Sequence, residues 1–148
     1  MLNLGQIGNG PLIEYATLRE YLTPNVKKVL WLYYEGNDLS DLKNELNNKI
    51  LNKYLTDQKF KQDLKFRQNQ IDKVLTDFVE RERESIHNYK IVRFILLTNI
   101  RTLLRPPPPP PPPPPELKIV LKFANELVES YNQKLYFIYL PSFAIYAK

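Results

Sequence analysis

Val26-Lys-Lys-Val29-Leu-Trp31-Leu-Tyr33-Tyr34-Glu-Gly36-Asn37-Asp38 carries the decision about fold. After Lys28 the apolar and aromatic residues run on with no polar position at helical spacing, and the run ends in a glycine turn. That pattern predicts a strand buried in a parallel sheet. A second aromatic run, Leu135-Tyr-Phe-Ile-Tyr-Leu140, ends at Pro141 and reads the same way. The alternative, an aromatic platform on which bases or sugars stack, explains these runs less well than burial does.

Outward from the first run, Leu12, Ile13, Ala16, Leu18 and Leu22 predict a helix that stops before Pro24, because the residue ahead of a proline is pushed out of the helical region. Met1 to Leu4 reads as a short strand, followed by the loop Gly5-Gln-Ile-Gly8-Asn-Gly10-Pro11. Strand, loop, helix and strand make a βαβ unit, whose ligand groups sit at the carboxyl ends of the strands. All four glycines lie in the two loops expected there, three in the first and Gly36 in the second. Glycine is required where φ is positive or where backbone must come close to another group.

Beyond Asp38 the chain reads as helical and charged as far as Arg105. Phe60, Leu64, Ile71, Leu75, Phe78 and Val79 return at helical spacing, and the apolar residues from Ile91 to Leu104 go most of the way round a helix. The basic surplus of this region is interleaved with acids, which describes a solvated face. Pro106 to Pro115 is an unbroken proline run, hence an extended polyproline II rod. Leu117, Val120, Leu121, Ala124, Leu127 and Val128 then predict a last amphipathic helix, closed by the turn Asn132-Gln133-Lys134.

Composition narrows the chemistry. The 148 residues include no cysteine and one histidine, His87, which removes disulfides, thiolate chemistry and any site needing two imidazoles of this chain. His87 sits among Glu84, Ser85, Asn88 and Tyr89, with no carboxylate placed to orient it, and reads as solvated. A net charge of +5 is too small to argue for nucleic-acid binding. No run is long enough to span a bilayer, and the first residues lack a signal-peptide pattern. Nothing in the pattern calls for a cofactor or a metal.

Two of these stretches resemble conserved blocks of the SGNH hydrolases, the GDSL-type esterases and lipases. Asn3-Leu-Gly-Gln-Ile-Gly8-Asn-Gly-Pro11 is similar to the block whose glycine offers a backbone N–H to the oxyanion, and Tyr34-Glu-Gly36-Asn37-Asp38 is similar to the G-x-N-D block, with Glu35 in place of the leading glycine. Gly8 and Asn37 are 29 residues apart (37 − 8), as one helix and one strand require in that family. Lys134 to Pro141 looks like its fourth strand.

The resemblance implies a single, partial, three-layer α/β/α domain over 1–148, with a flavodoxin-like, mostly parallel and incomplete sheet, a helical insertion at 40–105 and a proline linker at 106–115. It implies hydrolysis of acyl or acetyl esters, with Gly8 and Asn37 as oxyanion donors. The family's G-D-S nucleophile block and D-x-x-H block do not occur in the sequence, so the chain is expected to be inactive by itself and to leave one strand position unfilled. Without the resemblance, the glycine loop reads as an ordinary turn and Asn37-Asp38 as a helix cap, with Asp38 or Ser40 capping. The rival for function is an interaction module: Arg105-Pro-Pro-Pro108-Pro-Pro-Pro111 satisfies a ligand pattern for SH3, WW or profilin-like grooves, although a tolerated loop insertion explains the same run.

Overall fold

The computed structural model describes residues 2–6, 8–95 and 112–142, with backbone alone over 82–95. Two compact units divide the chain, one made of Met1–Gln62 with Pro109–Lys148 and the other of Asp63–Pro108.

In the first unit, α1 (Pro11–Tyr21) starts with proline at its first position, where the missing N–H costs nothing, and ends two residues short of Pro24. Strand β1 (Lys28–Tyr34) leads through a tight turn into α2 (Asp38–Glu45). The short α3 (Lys49–Thr56) begins where Asn48 Oδ1 accepts the N–H groups of Ile50 and Leu51, at 2.9 and 3.2 Å. After the second unit come α5 (Pro115–Ser130) and β2 (Lys134–Leu140), joined by a turn in which Asn132 takes a left-handed φ of 58°.

The two strands pair in parallel, from Lys28 beside Lys134 to Tyr34 beside Leu140, and α1 and α5 pack together. Val120, Ala124 and Val128 repeat every four residues along α5, so they form one stripe, and all three are fully buried. They meet Leu12, Tyr15, Ala16 and Leu18 of α1, Trp31 of β1, Leu42 of α2 and Tyr54 of α3 in one core. The pattern of α5 was legible as expected. An α/β chain with a parallel sheet is thus observed, and the sheet has two strands among the described residues.

Three expectations are corrected. Residues 2–6 are not a strand: Asn3 Oδ1 accepts the N–H of Gly5 at 3.0 Å, so the backbone bonds locally and has no strand to pair with. The parallel crossover is therefore β1 to β2 by way of α5. The strands are also not buried on both faces. Along β1, Trp31 and Tyr33 are buried while Leu30 and Leu32 stand 62% and 53% exposed, and on β2 Phe137 and Tyr139, which pair with Trp31 and Tyr33, are themselves exposed, so the helices cover one side of β1 and little of β2. Neither Asp38 nor Ser40 caps α2; Asn37 is its N-cap residue, and no side chain makes the capping bond.

The stretch from 40 to 62 belongs to the first unit, since α2 and α3 contribute Leu42 and Tyr54 to its core. The second unit begins at Asp63, whose φ of 53° starts a 3-10 turn (Leu64–Arg67) that runs directly into α4 (Gln68–Ile95). Leu75, Phe78 and Val79 of the expected stripe lie on α4, each about half exposed, whereas Phe60 packs edge-on to Tyr54 in the first unit. His87 falls on α4 and its side chain lies outside the described residues, as do Pro106 to Pro111 and the segment 96–105.

The far end of α1 is held by Arg19. Its guanidinium is buried between the rings of Tyr15 and Tyr54 and donates to four carbonyls, those of Tyr54, Asp57, Gln58 and Phe60, at 2.9, 3.2, 2.5 and 2.7 Å. Only a planar fork serves so many acceptors at once. Arg19→Lys keeps the charge and loses the fork, so urea unfolding should show a loss of about 2–4 kcal/mol, within the range for buried polar groups left unpaired.

Candidate functional site

The site expected from the sequence lies where the carboxyl end of β1 meets the N-terminus of α1. Four N–H groups open every helix without intrahelical partners and carry partial positive charge. At α1 they are met by Glu45, the last residue of α2. Its Oε1 accepts from Gly10 N at 2.6 Å and its Oε2 from Leu12 N at 3.0 Å and Ile13 N at 3.4 Å. The approach is close enough to demand glycine at position 10, since a Cβ there would stand 2.8 Å from both Asp41 Cβ and Glu45 Oε2.

Gly8, two residues upstream, is exposed and has φ +85°, the left-handed region that glycine occupies without strain. Nothing lies within 4 Å of where its side chain would be. Asn37 is half-buried, and its Nδ2 donates to Asp41 Oδ2 at 2.6 Å. Asp41 thus holds the Asn37 amide on one side and packs against Gly10, two residues from Gly8, on the other. The turn itself is closed by Asp38 Oδ2, which accepts Tyr34 N at 2.7 Å, and by Gly36, which lies so near the Tyr34 ring that a Cβ would be 2.7 Å from its hydroxyl. Beyond β2, Ser142 N donates to Glu35 Oε2 at 3.1 Å, so the loops after both strands are tied together.

Beneath these loops is a group of acids. Glu14 on α1 has its carboxyl pushed up to about 8, chiefly by burial and then by Asp38 and Glu45 nearby; the Trp31 indole pulls it slightly back. Neither Glu14 Oε2 nor Trp31 Nε1 has an aligned hydrogen-bond partner, and both atoms are buried. Burial raises Asp38 and Glu45 too, against the lowering effect of the backbone N–H groups they accept from. At neutral pH Glu14 is therefore a neutral acid, held near Asp38 and Glu45.

Two serines lie at this end of the sheet: Ser40, exposed in the first turn of α2, and Ser142, buried, with its Oγ 3.5 Å from the Tyr34 hydroxyl. Among the described residues no group of His, Asp and Glu is placed to hold a metal ion, and no helix is long and apolar enough to cross a membrane. No protein-family model matches the chain, and neither a curated protein nor a solved structure does.

Glu14, Asp41 and Glu45 were not singled out from the sequence. Asp38, Asp41 or Leu42, and Glu45 recur at three and four along α2, so acids share the face that also carries the buried Leu42. A helical face mixing leucines with carboxylates is the signal that was there to be read. For Glu14, placed between Ile13 and Tyr15, no such pattern exists.

The acids make stability depend on pH in a definite direction. Glu14 binds its proton more tightly in the folded chain than at its ordinary value of 4.5, so its contribution is fully present below about 4.5 and is lost as pH climbs to about 8. The raised Asp38 and Glu45 act with the same sign. The melting temperature should fall as pH rises from 5 to 8.5, and Glu14→Gln should flatten that decline and gain most at the alkaline end. A melting temperature that rises over this interval would contradict the arrangement.

Proposed function

We propose that the chain is the central part of an SGNH-type ester hydrolase domain, contributing the oxyanion-binding loops for acyl or acetyl esters. The observation that carries this reading is the way Asp41 links the Asn37 amide to the Gly8–Gly10 loop at the carboxyl end of a parallel strand. A tetrahedral intermediate gathers negative charge on one oxygen, and donors held in place before the reaction stabilise it most. Asp41 takes one amide hydrogen of Asn37 and leaves the second for the oxyanion; Gly8 supplies a backbone N–H from a loop with no side chain in the way. Serine attack needs a base within hydrogen-bond reach, and the G-D-S and D-x-x-H blocks are not in these 148 residues.

The purified chain should therefore turn over p-nitrophenyl acetate no faster than its Asn37→Ala variant. Coding DNA on either side, read in all frames, should supply both blocks, and the longer product should be active. In that product Asn37→Ala should cut kcat by roughly 10²–10³-fold, the usual loss for one oxyanion donor. Flanks without either block would end the hydrolase reading.

A second reading is favoured by one observation. Pro114, with φ −69° and ψ 152°, has polyproline II geometry and leads straight into α5 at Pro115. Prolines held so are preorganised for SH3, WW or profilin-like grooves. If this run is the functional element, replacing Pro108 and Pro111 by alanine should abolish binding to a purified SH3 domain in calorimetric titration. Unchanged heats, or no binding by the unmodified chain, would leave the run a connection whose length costs little.

A further inference from the structure

We propose that Asn9–Gly10 is a self-modification site, in which the Gly10 backbone nitrogen attacks the Asn9 side-chain amide, and that the Glu45 carboxylate holds it inactive in the folded chain. Asn9–Gly10 is the one Asn-Gly pair in the sequence. A following residue without a Cβ leaves the path to the asparagine side-chain carbonyl open. In the reaction a bond forms between Gly10 N and Asn9 Cγ, the Asn9 Cγ–Nδ2 bond breaks, and ammonia departs with the Gly10 proton. Water then opens the cyclic imide at either carbonyl and returns a proton to Gly10 N, giving aspartate or isoaspartate at position 9. No other reactant is needed.

The attacking nitrogen must give up its proton, and in the fold that proton is held. Gly10 is buried, and its N–H donates to Glu45 Oε1 at 2.6 Å. A charge-assisted bond of this length is among the strong ones. The cyclic imide carries no hydrogen on that nitrogen, so closing the ring takes this donor away from a buried carboxylate. Ring closure must also turn Gly10 N toward the Asn9 side chain. Gly10 is instead fixed in extended form (φ −97°, ψ 178°) as the N-cap residue of α1, with Asp41 and Glu45 packed against its Cα. Asn9 is only half-buried, and its side chain makes no hydrogen bond among the described residues. The electrophile is thus available, and the fold withholds the nucleophile through one contact between α1 and α2. Isoaspartate would add an atom to the backbone inside the Gly8–Gly10 loop and place a new carboxylate near Asp41 and Glu45, whether or not that loop receives an oxyanion.

The test is to incubate the whole chain at mildly alkaline pH, digest it, and follow the peptide that holds Asn9 by mass spectrometry, with aspartate and isoaspartate separated by chromatography. The folded chain should convert at least about tenfold more slowly than the chain in urea, as the loss of one charge-assisted bond implies. Glu45→Gln keeps the size and gives up the charge. It should raise the folded rate about tenfold with an unchanged far-ultraviolet spectrum, and Glu45→Ala should come nearer the rate in urea. Arg19→Lys loosens the same helix from its far end without touching Glu45, and should leave the rate close to that of the unsubstituted chain. Folded and urea rates that coincide would overturn the proposal, as would Glu45 variants that react no faster than the unsubstituted chain. So would an acceleration by Arg19→Lys equal to that by Glu45→Gln, which would trace the protection to folding in general and not to the carboxylate.

Discussion

The Glu45 carboxylate on the first N–H groups of α1 is the contact from which the rest of the first unit is arranged. It joins the end of α2 to the start of α1 and so sets where the Gly8–Gly10 loop arrives relative to the turn after β1. A buried carboxylate without partners would be neutral or expelled; one that accepts three N–H groups at a helix N-terminus has both hydrogen bonds and the helix dipole to offset its desolvation. Glycine at position 10 is the steric condition for it, because any Cβ would strike Asp41 and the carboxylate itself. Arg19 does the complementary work at the other end of the same helix, where four carbonyls, one from the last turn of α3 and three from the loop after it, need donors. One short helix is thus tied at one end by an acid and at the other by a base, while its apolar side chains meet the stripe of α5.

This design has an electrostatic cost. Bringing Glu45 and Asp38 to the end of the sheet places them beside Glu14, whose Oε2 is buried without an aligned donor. The cheapest solution for a third carboxyl in such company is to keep its proton, and burial and its two neighbours push it in the same direction. A fully ionised group of three carboxylates would repel the oxyanion that the proposed chemistry creates. The fold and the proposed function therefore place the same demand on Glu14.

How far the sequence disclosed this can be judged element by element. The α5 stripe was legible because Val120, Ala124 and Val128 repeat at helical spacing and little else in that helix is apolar on the opposite side. The strands were legible because no helical period fits Leu30 to Tyr34. The glycine loops announced themselves as geometrically special, and two of them are: Gly8 by its φ and Gly10 by its close contact. What failed was everything that depended on partners distant in the chain. Met1 to Leu4 has the composition of a strand, but a strand exists only where another accepts its hydrogen bonds, and Asn3 offered a local alternative. The roles of Glu45 and Arg19 involve groups more than thirty residues away, and no local pattern encodes a long-range cap. Asn37 and Asp38 have the composition of a helix cap, yet their side chains bond to Asp41 and Tyr34 instead.

The error about strand burial is instructive in a different way, since the pattern and the structure are both sound. A strand with one covered face needs apolar residues only at alternate positions, and solvent favours polar ones between them. From Val29 to Tyr34 no position is charged, and the same is true from Leu135 to Leu140. Such a run answers to two apolar environments, of which α1 and α5 provide one. On β2 even that cover is partial, since Phe137 and Tyr139 on the side of Trp31 and Tyr33 remain about half exposed, so the apolar run asks for more cover than the described helices give.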